Sequence, residues 1–257
     1  WELARDRRPS LGPVLDLGAG DGRFNRGGHF SEYTGIEIDR RKVLSAGPLQ
    51  RGELLRKCAF RHNGRDYDAC IGNPPYVRHH DIELPWKGQT VARLNRELGV
   101  ALSQHCNLYI YFMCLGLLKT RQDGLLGLVI PYEWVSRPST KAVRDFIRAK
   151  GWSVDVYRFS HPIFSGVLTT ASVTFVDKAS RSGLWSYFDV DQFFKITPRA
   201  GVADSKRGVL EYARRGKIWA MRGLSPGSQQ VFTLTEGERV HFGLSKRDVS
   251  PCITAMR

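Results

Sequence analysis

"GPVLDLGAGDGRF", residues 12–24, runs an apolar strand pattern from Val14 to Leu17 into a glycine-rich turn from Gly18 to Gly22. A short apolar run closed in this way reads as a buried strand of a parallel sheet. The turn then lies at the strand's C-terminal end, where open α/β sheets bind their ligands. "YTGIEID" (33–39) repeats the pattern and ends in carboxylates, and "YDACIGN" (67–73) ends on an amide. Further along, "CNLYIYFMCLGLLKT" (106–120) predicts an apolar helix and "GLLGLVIPYEWV" (124–135) another buried strand. "TKAVRDFIRAKG" (140–151) predicts a helix stopped by Gly151, followed by the strands "WSVDVYRF" and "TTASVTFVD". The basic segment 40–57 predicts a crossover helix with Val43, Leu44, Leu54 and Leu55 on one face, interrupted at Gly47-Pro48. Strand and helix patterns alternating in this manner indicate an α/β sheet covered on both faces.

The chain has 257 residues and 42% hydrophobic content, enough for one full core and a second, smaller domain. Its net charge of +14 favours a polyanionic partner. The excess is denser after residue 178, where 13 Lys/Arg face 7 Asp/Glu, than before it, where 26 face 18. Cys58, Cys70, Cys106, Cys114 and Cys252 show no C-x-x-C pair and no His at metal-ligand spacing, so they read as free thiols of a reducing compartment, with no metal expected. No apolar run approaches the roughly 20 residues of a membrane span, and the first residues, Trp1 to Asp6, lack a secretory core. A cytoplasmic location is expected. The start without a methionine and the end, "RDVSPCITAMR", predict a piece of a longer protein.

After Asp177 the periodicity weakens, and "KASRSG" reads as a linker. The expected division is a catalytic domain at 1–180 and a partial second domain at 181–257.

The glycine turn carries Asp16 before it and Asp21 within it. A dinucleotide site wants G-x-G-x-x-G with a helix N-terminus facing pyrophosphate; two carboxylates there would repel it. S-adenosylmethionine has no phosphate and carries an ammonium and a sulfonium, so it suits the turn, and Glu37 at the next strand end suits ribose hydroxyls. The alternative is a tight turn with solvated acids.

Asn73-Pro74-Pro75-Tyr76 closes the "YDACIGN" strand. Two prolines fix φ near −65° and remove two backbone donors. The Asn73 side-chain carbonyl and the Pro74 carbonyl then form a rigid pair of acceptors, matching the two hydrogens of an exocyclic amino group, and Tyr76 can stack on the ring that bears it.

"DLGAGDG", "GIEID" and "NPPYV", in that order, resemble the adenine-specific DNA N6-methyltransferases of the gamma type, and in particular the methylase portions of type IIG restriction-modification enzymes. The likeness continues through residues 107–135, "FSGVLTTASVTFV" and "MRGLSPGSQQVFTLT". It implies a Rossmann-like S-adenosylmethionine-dependent methyltransferase sheet with helices on both faces, followed by the start of a DNA-recognition domain. The implied cofactor set is Asp16, Gly18, Ala19, Gly20, Asp21, Glu37, Ile38, Phe60 and Asn73. The implied catalytic set is Asn73, Pro74, Pro75 and Tyr76, with Phe164 covering the second face of an adenine flipped out of double-stranded DNA. A fused or associated restriction nuclease fits the same setting. One departure stands out: the family's acid before Phe60 is replaced by Ala59, with Asn63 as a nearby substitute. The family segment that contacts the methionine end of the cofactor precedes the glycine turn, where this chain has only "WELARDRRPSL".

Residues 77–98, with His79-His80 and Trp86, read as a mobile lid or a solvated loop near DNA. Trp134 reads as core. Arg214, Arg215, Lys217, Arg222, Lys246 and Arg247 read as phosphate contacts or surface charge, with Trp219 and Phe232 packing or stacking. Two other activities stay open on the residues: a protein glutamine N5-methyltransferase, which also uses N-P-P-Y, and a catalytically silent DNA-binding subunit of the same fold. RNA adenine methylation is weakly opposed.

Overall fold

The computed structural model describes residues 1–164, 169–199 and 233–249. The chain divides into a first unit, Trp1–Ser205, and a second, Lys206–Arg257.

In the first unit nine strands form one sheet: β1 (Leu11–Leu17), β2 (Phe30–Glu37), β3 (Glu53–Arg56), β4 (Tyr67–Gly72), β5 (Thr120–Pro131), β6 (Ser153–Phe159), β7 (Ala171–Asp177), β8 (Trp185–Val190) and β9 (Ile196–Arg199). Their order is β3-β2-β1-β4-β5-β7-β6-β8-β9. β1 to β5 are mutually parallel, β7 runs antiparallel between β5 and β6, and β9 is antiparallel to β8. From β1 the chain first builds outward through β2 and β3, then returns to lay β4 on β1's other side. β1 and β4 therefore flank the point where strand order reverses, and their C-terminal ends open a crevice.

The period-2 alternation of the strands sorts the core into two faces. Leu15, Leu17, Cys70, Leu126 and Leu128 point to one face, against α3 (Leu84–Leu98), α4 (Leu108–Lys119) and α5 (Lys141–Ala149). α4 is apolar all round because it lies under α3 and on β4 and β5, with ten of its twelve residues buried. At its C-terminal end the buried Lys178 Nζ donates to Leu117 O (3.2 Å) and to the O of the C-cap Thr120 (2.7 Å); a cation suits the negative end of the helix dipole.

Val14, Tyr33, Ala69, Ile71, Leu125 and Phe175 point to the opposite face. There, among the described residues, the only helical member of the buried cluster is Ala4, from the four-residue α1 (Glu2–Arg5). A cavity of about 470 Å³ is left open on this side, lined among others by Trp1, Phe24, Val129 and Phe194. Helices thus cover both faces, but very unequally.

Several sequence expectations need correction. The segment 40–57 gives only a short α2 (Arg40–Leu44), and Leu54 and Leu55 belong to the edge strand β3. Residues 84–98, expected as part of a lid loop, form α3. The boundary expected near 180 falls inside the sheet, since β8 pairs in parallel with β6 from Val154↔Trp185 to Phe159↔Val190. Trp134 is buried, as expected, and its Nε1 donates to Thr174 Oγ1 (3.0 Å). Cys58, Cys70, Cys106 and Cys114 are free thiols; Cys252 lies outside the described residues.

In the second unit the described stretch holds α6 (Glu236–His241), started by a capping box in which Thr235 and Glu238 satisfy each other's backbone N–H groups. Lys246 and Arg247 are exposed; Arg214, Arg215, Lys217, Trp219, Arg222 and Phe232 lie outside the described residues.

Candidate active site

The glycine turn and the N-P-P-Y turn leave the sheet side by side because Asp16 of β1 pairs with Ile71 of β4. Gly18 (φ 78°), Gly20 (φ 60°) and Gly22 (φ 75°) take the left-handed backbone region that an L side chain rarely adopts. At Gly18 there is also a close approach: a Cβ there would lie 3.5 Å from Pro75 Cδ and 3.7 Å from Phe112. The turn is tied to β2, with Gly18 and Ala19 N–H donating to Ile36 O (2.9 and 3.0 Å) and Gly20 N–H donating to Glu37 Oε2 (2.9 Å).

Glu37 is buried, and its Oε1 also accepts from Ile38 N–H and Asp39 N–H, both at 2.8 Å. A carboxylate has about four lone-pair sites, so three backbone donors orient the group and leave acceptor capacity toward the crevice. Asp16 is fully buried; Tyr33 Oη donates to its Oδ2 (2.7 Å), while Oδ1 has no hydrogen-bond partner. Burial, and then the negative charge of Glu37, pushes the Asp16 carboxyl up to about 7 against the opposing effect of the Tyr33 bond. A buried carboxyl with an idle oxygen beside a second acid is a place prepared for positive charge.

A cavity of about 380 Å³ lies at this crevice. It brings together Gly18, Glu37, Ile38, Phe60, Asn73 and Pro75 of the sequence-predicted set. The larger cavity lies on the opposite sheet face, away from both turns, and we assign the chemistry to the smaller one because the two motifs meet there. Ala19 and Gly20 shape the turn without lining the cavity, and Asp16 stands behind it. Asp21 turns outward, with Arg23 Nε donating to its Oδ2 (3.0 Å) at the surface. It does not line this cavity.

Sequence reasoning missed Asp39, Lys42, Lys57, Cys58, Trp86, Leu108 and Phe112 as wall residues. Phe60 is held edge-on between Trp86 and Phe112, each with its ring centroid 5.1 Å away. Ala59 lines the cavity without a polar group, and exposed Asn63, expected to substitute, does not; Lys57 and Cys58 stand there instead. The start and stop signals of α3, Pro85 in its first turn and Gly99 at its C-cap, would have located Trp86 on a helix.

Asn73 and Pro75 are exposed at the crevice and Pro74 is buried. Tyr76 is fixed by its hydroxyl, which donates to Val129 O (2.9 Å), and burial keeps the phenol protonated well above its ordinary range. Phe164 does come to Tyr76, but at a centroid distance of 6.2 Å and 76° between ring planes. A planar ring held between two others requires roughly 7 Å and near-parallel planes, two contacts of about 3.5 Å. The pair as it stands is an edge-to-face contact, closer and less parallel than such a sandwich.

Residues 24–164 match the model described as Eco57I restriction-modification methylase, a stretch that includes β2, the N-P-P-Y turn and Phe164 and begins just after the glycine turn. The chain is similar to the type II methyltransferase M.XamI of Xanthomonas campestris pv. amaranthicola, with 26% identity over 246 residues, 90% of this chain and 46% of that protein. It spans less than half the length of the curated relatives it matches. The methyltransferase subunit of a type I restriction-modification system from Streptococcus thermophilus shares the fold, with a TM-score of 0.59, 16% identity, and coverage of 84% of this chain and 51% of that one. A Listeria monocytogenes protein of the class I S-adenosylmethionine-dependent methyltransferase type also shares it (TM-score 0.54, 16% identity, 72% and 61% covered). The chain therefore has the Rossmann-like fold of these methyltransferases.

Proposed function

The chain belongs to the Eco57I restriction-modification methylase family, and we propose from that premise that it transfers a methyl group from S-adenosylmethionine to the N6 amino group of an adenine flipped out of double-stranded DNA. The observation that carries the reading is the meeting of Gly18 and Glu37 with Asn73 and Pro75 around one cavity of about 380 Å³.

The residues fit the cofactor. The cavity is of nucleoside-ligand size, Glu37 keeps acceptor capacity for ribose hydroxyls, Phe60 and Ile38 offer apolar surface to a purine, and Asp16 supplies negative charge behind the turn. When bound, S-adenosylmethionine supplies an electrophilic methyl group on a sulfonium.

The chain's own residues do the rest. An aromatic amine is a poor nucleophile because its lone pair is delocalised into the ring. Hydrogen bonds from the amino group to the Asn73 side-chain oxygen and the Pro74 carbonyl favour a pyramidal nitrogen and stabilise the positive charge that grows on it. No strong base is required. Tyr76, anchored by Val129, receives one face of the base, and Phe164 the other after the pair turns open. Stacking offsets the few kcal/mol that base flipping costs. The basic region after Ser205 is assigned to target recognition in this reading, and the protein is assigned to a restriction-modification system with a fused or associated nuclease.

Asn73→Ala tests the assignment. DNA affinity is expected to stay within about twofold while methyl transfer falls by roughly a hundredfold or more. Unchanged turnover would remove Asn73 from the chemistry.

A further inference from the structure

Three imidazoles lie just beyond the N-P-P-Y turn and have no part in the site described above. His79 and His80 follow Tyr76 on the same segment, and His105 precedes α4. The His79 ring centroid stands 5.2 Å from that of His80 and 5.3 Å from that of His105, edge to face in both cases. His80 and His105 are exposed and His79 half-buried.

The segment is held from three sides. His79 N–H donates to Asn107 Oδ1 (3.0 Å), Leu108 N–H donates to Val77 O (2.9 Å), and the buried Lys87 of α3 donates from Nζ to His79 O (2.7 Å). These bonds present the rings at a fixed place three and four residues from Tyr76, at most about 14 Å along the chain.

The charges around the cluster are mostly positive. Arg78 is exposed on the segment itself, Lys87 stands beneath it, and Asp81 lies 3.5 Å from His80 in an exposed pair. On the 3-10 turn Tyr132–Val135, Glu133 is engaged by Arg137 (2.8 Å). Among the described residues no group of three or more His, Cys, Asp or Glu side chains is placed to hold a metal ion, so the cluster is not a metal centre.

We propose that His79, His80 and His105 form a phosphate-contact site for the DNA strand that carries the target base, and that His79 takes up a proton as the phosphate arrives. The proposal rests on the DNA methyltransferase reading above. In the free protein, burial and then the positive charge of His80, His105 and Lys87 hold His79 below its ordinary value. A phosphate among the rings reverses that balance and raises the His79 value in the complex. Affinity is therefore gained as pH falls and lost as pH rises through the value reached in the complex. Each proton taken up changes affinity by up to about tenfold per pH unit, and the contact adds to the salt dependence.

Fluorescence anisotropy with a mixed-sequence unmethylated duplex, at constant salt and from about pH 6 to about pH 8, spans the range over which imidazoles titrate. The wild-type protein is expected to bind about tenfold tighter at the acid end, and a variant with His79→Gln, His80→Gln and His105→Gln to lose that gain while staying within about twofold at the alkaline end. Should the triple variant fold poorly, imidazole C–H resonances of the wild-type protein titrated with and without the duplex give the same answer, with an upward shift expected on the His79 ring. A pH gain retained by the triple variant, or rings whose titration DNA does not move, would overturn the phosphate site and leave the methyltransferase reading standing. A protein that binds S-adenosylmethionine but no DNA at any pH would overturn both.

Discussion

Replacing Asp16 by asparagine is expected to stabilise the protein at pH 8 and to remove a pH dependence that the wild-type chain shows. The Asp16 carboxyl is held at about 7, against 3.8 for an ordinary aspartate, chiefly by burial. A raised acid favours the folded state while it is protonated, so its contribution is fully present below about pH 4 and is lost as pH rises toward 7. The separation of roughly three pH units corresponds to about 4 kcal/mol, an order-of-magnitude figure for a fully buried group. The substituted amide stays neutral throughout and keeps an acceptor for the Tyr33 hydroxyl, while its new N–H groups add a cost that does not vary with pH. The difference in stability between variant and wild type should therefore change by about 4 kcal/mol between pH 4 and pH 8, or on the order of 10 °C in Tm for a unit of this size. Thermal melts of both proteins across that range measure it directly, because other titrating groups cancel in the difference. A difference that stays flat with pH would refute the claim that a strained, ionisable carboxyl sits behind the glycine turn. The same variant should bind S-adenosylmethionine more weakly by calorimetry.

Glu37→Gln leaves one oxygen for three backbone donors, so at least one donor loses its partner; cofactor affinity should fall by roughly tenfold or more in calorimetry, on the order of 1–3 kcal/mol. Tyr76→Phe removes the bond to Val129 O and should cost about 1 kcal/mol in urea unfolding with modest loss of turnover, whereas Tyr76→Ala should lose most turnover. Gly116→Ala places a Cβ 2.6 Å from Leu126 Cδ1 and 3.1 Å from Cys70 Sγ, where α4 crosses β4 and β5; an overpacking cost of about 1–3 kcal/mol is expected by chemical denaturation.

The crevice was legible in the sequence because its chemistry is written in backbone terms. Glycines that need a left-handed φ and prolines that remove donors fix the two turns whatever surrounds them. The long strands and α4 were legible from their apolar runs. β3 was not, because "ELLR" is a short edge strand whose two leucines also suit a helix face. α3 was hidden because its inner face buries Lys87 and Thr90 beside Val91 and Leu94, which breaks the apolar period. β8 escaped notice because it follows Gly183 and is mostly half-buried, so neither turn composition nor hydrophobicity marked it as part of the sheet. The walls contributed by Trp86 and Phe112 come from helices, Trp86 ten residues after the N-P-P-Y turn and Phe112 further along, and packing brings both to the cavity. Ala59 left no polar signal to follow.

The reading of the two turns as one methyl-transfer site is tested most directly by labelled methyl transfer. Incubation of the chain with methyl-labelled S-adenosylmethionine and unmethylated genomic DNA, followed by nucleoside analysis, should give label in N6-methyladenine. Label in a methylated cytosine, in RNA or in protein, or no transfer by a chain that binds both S-adenosylmethionine and DNA, would contradict it.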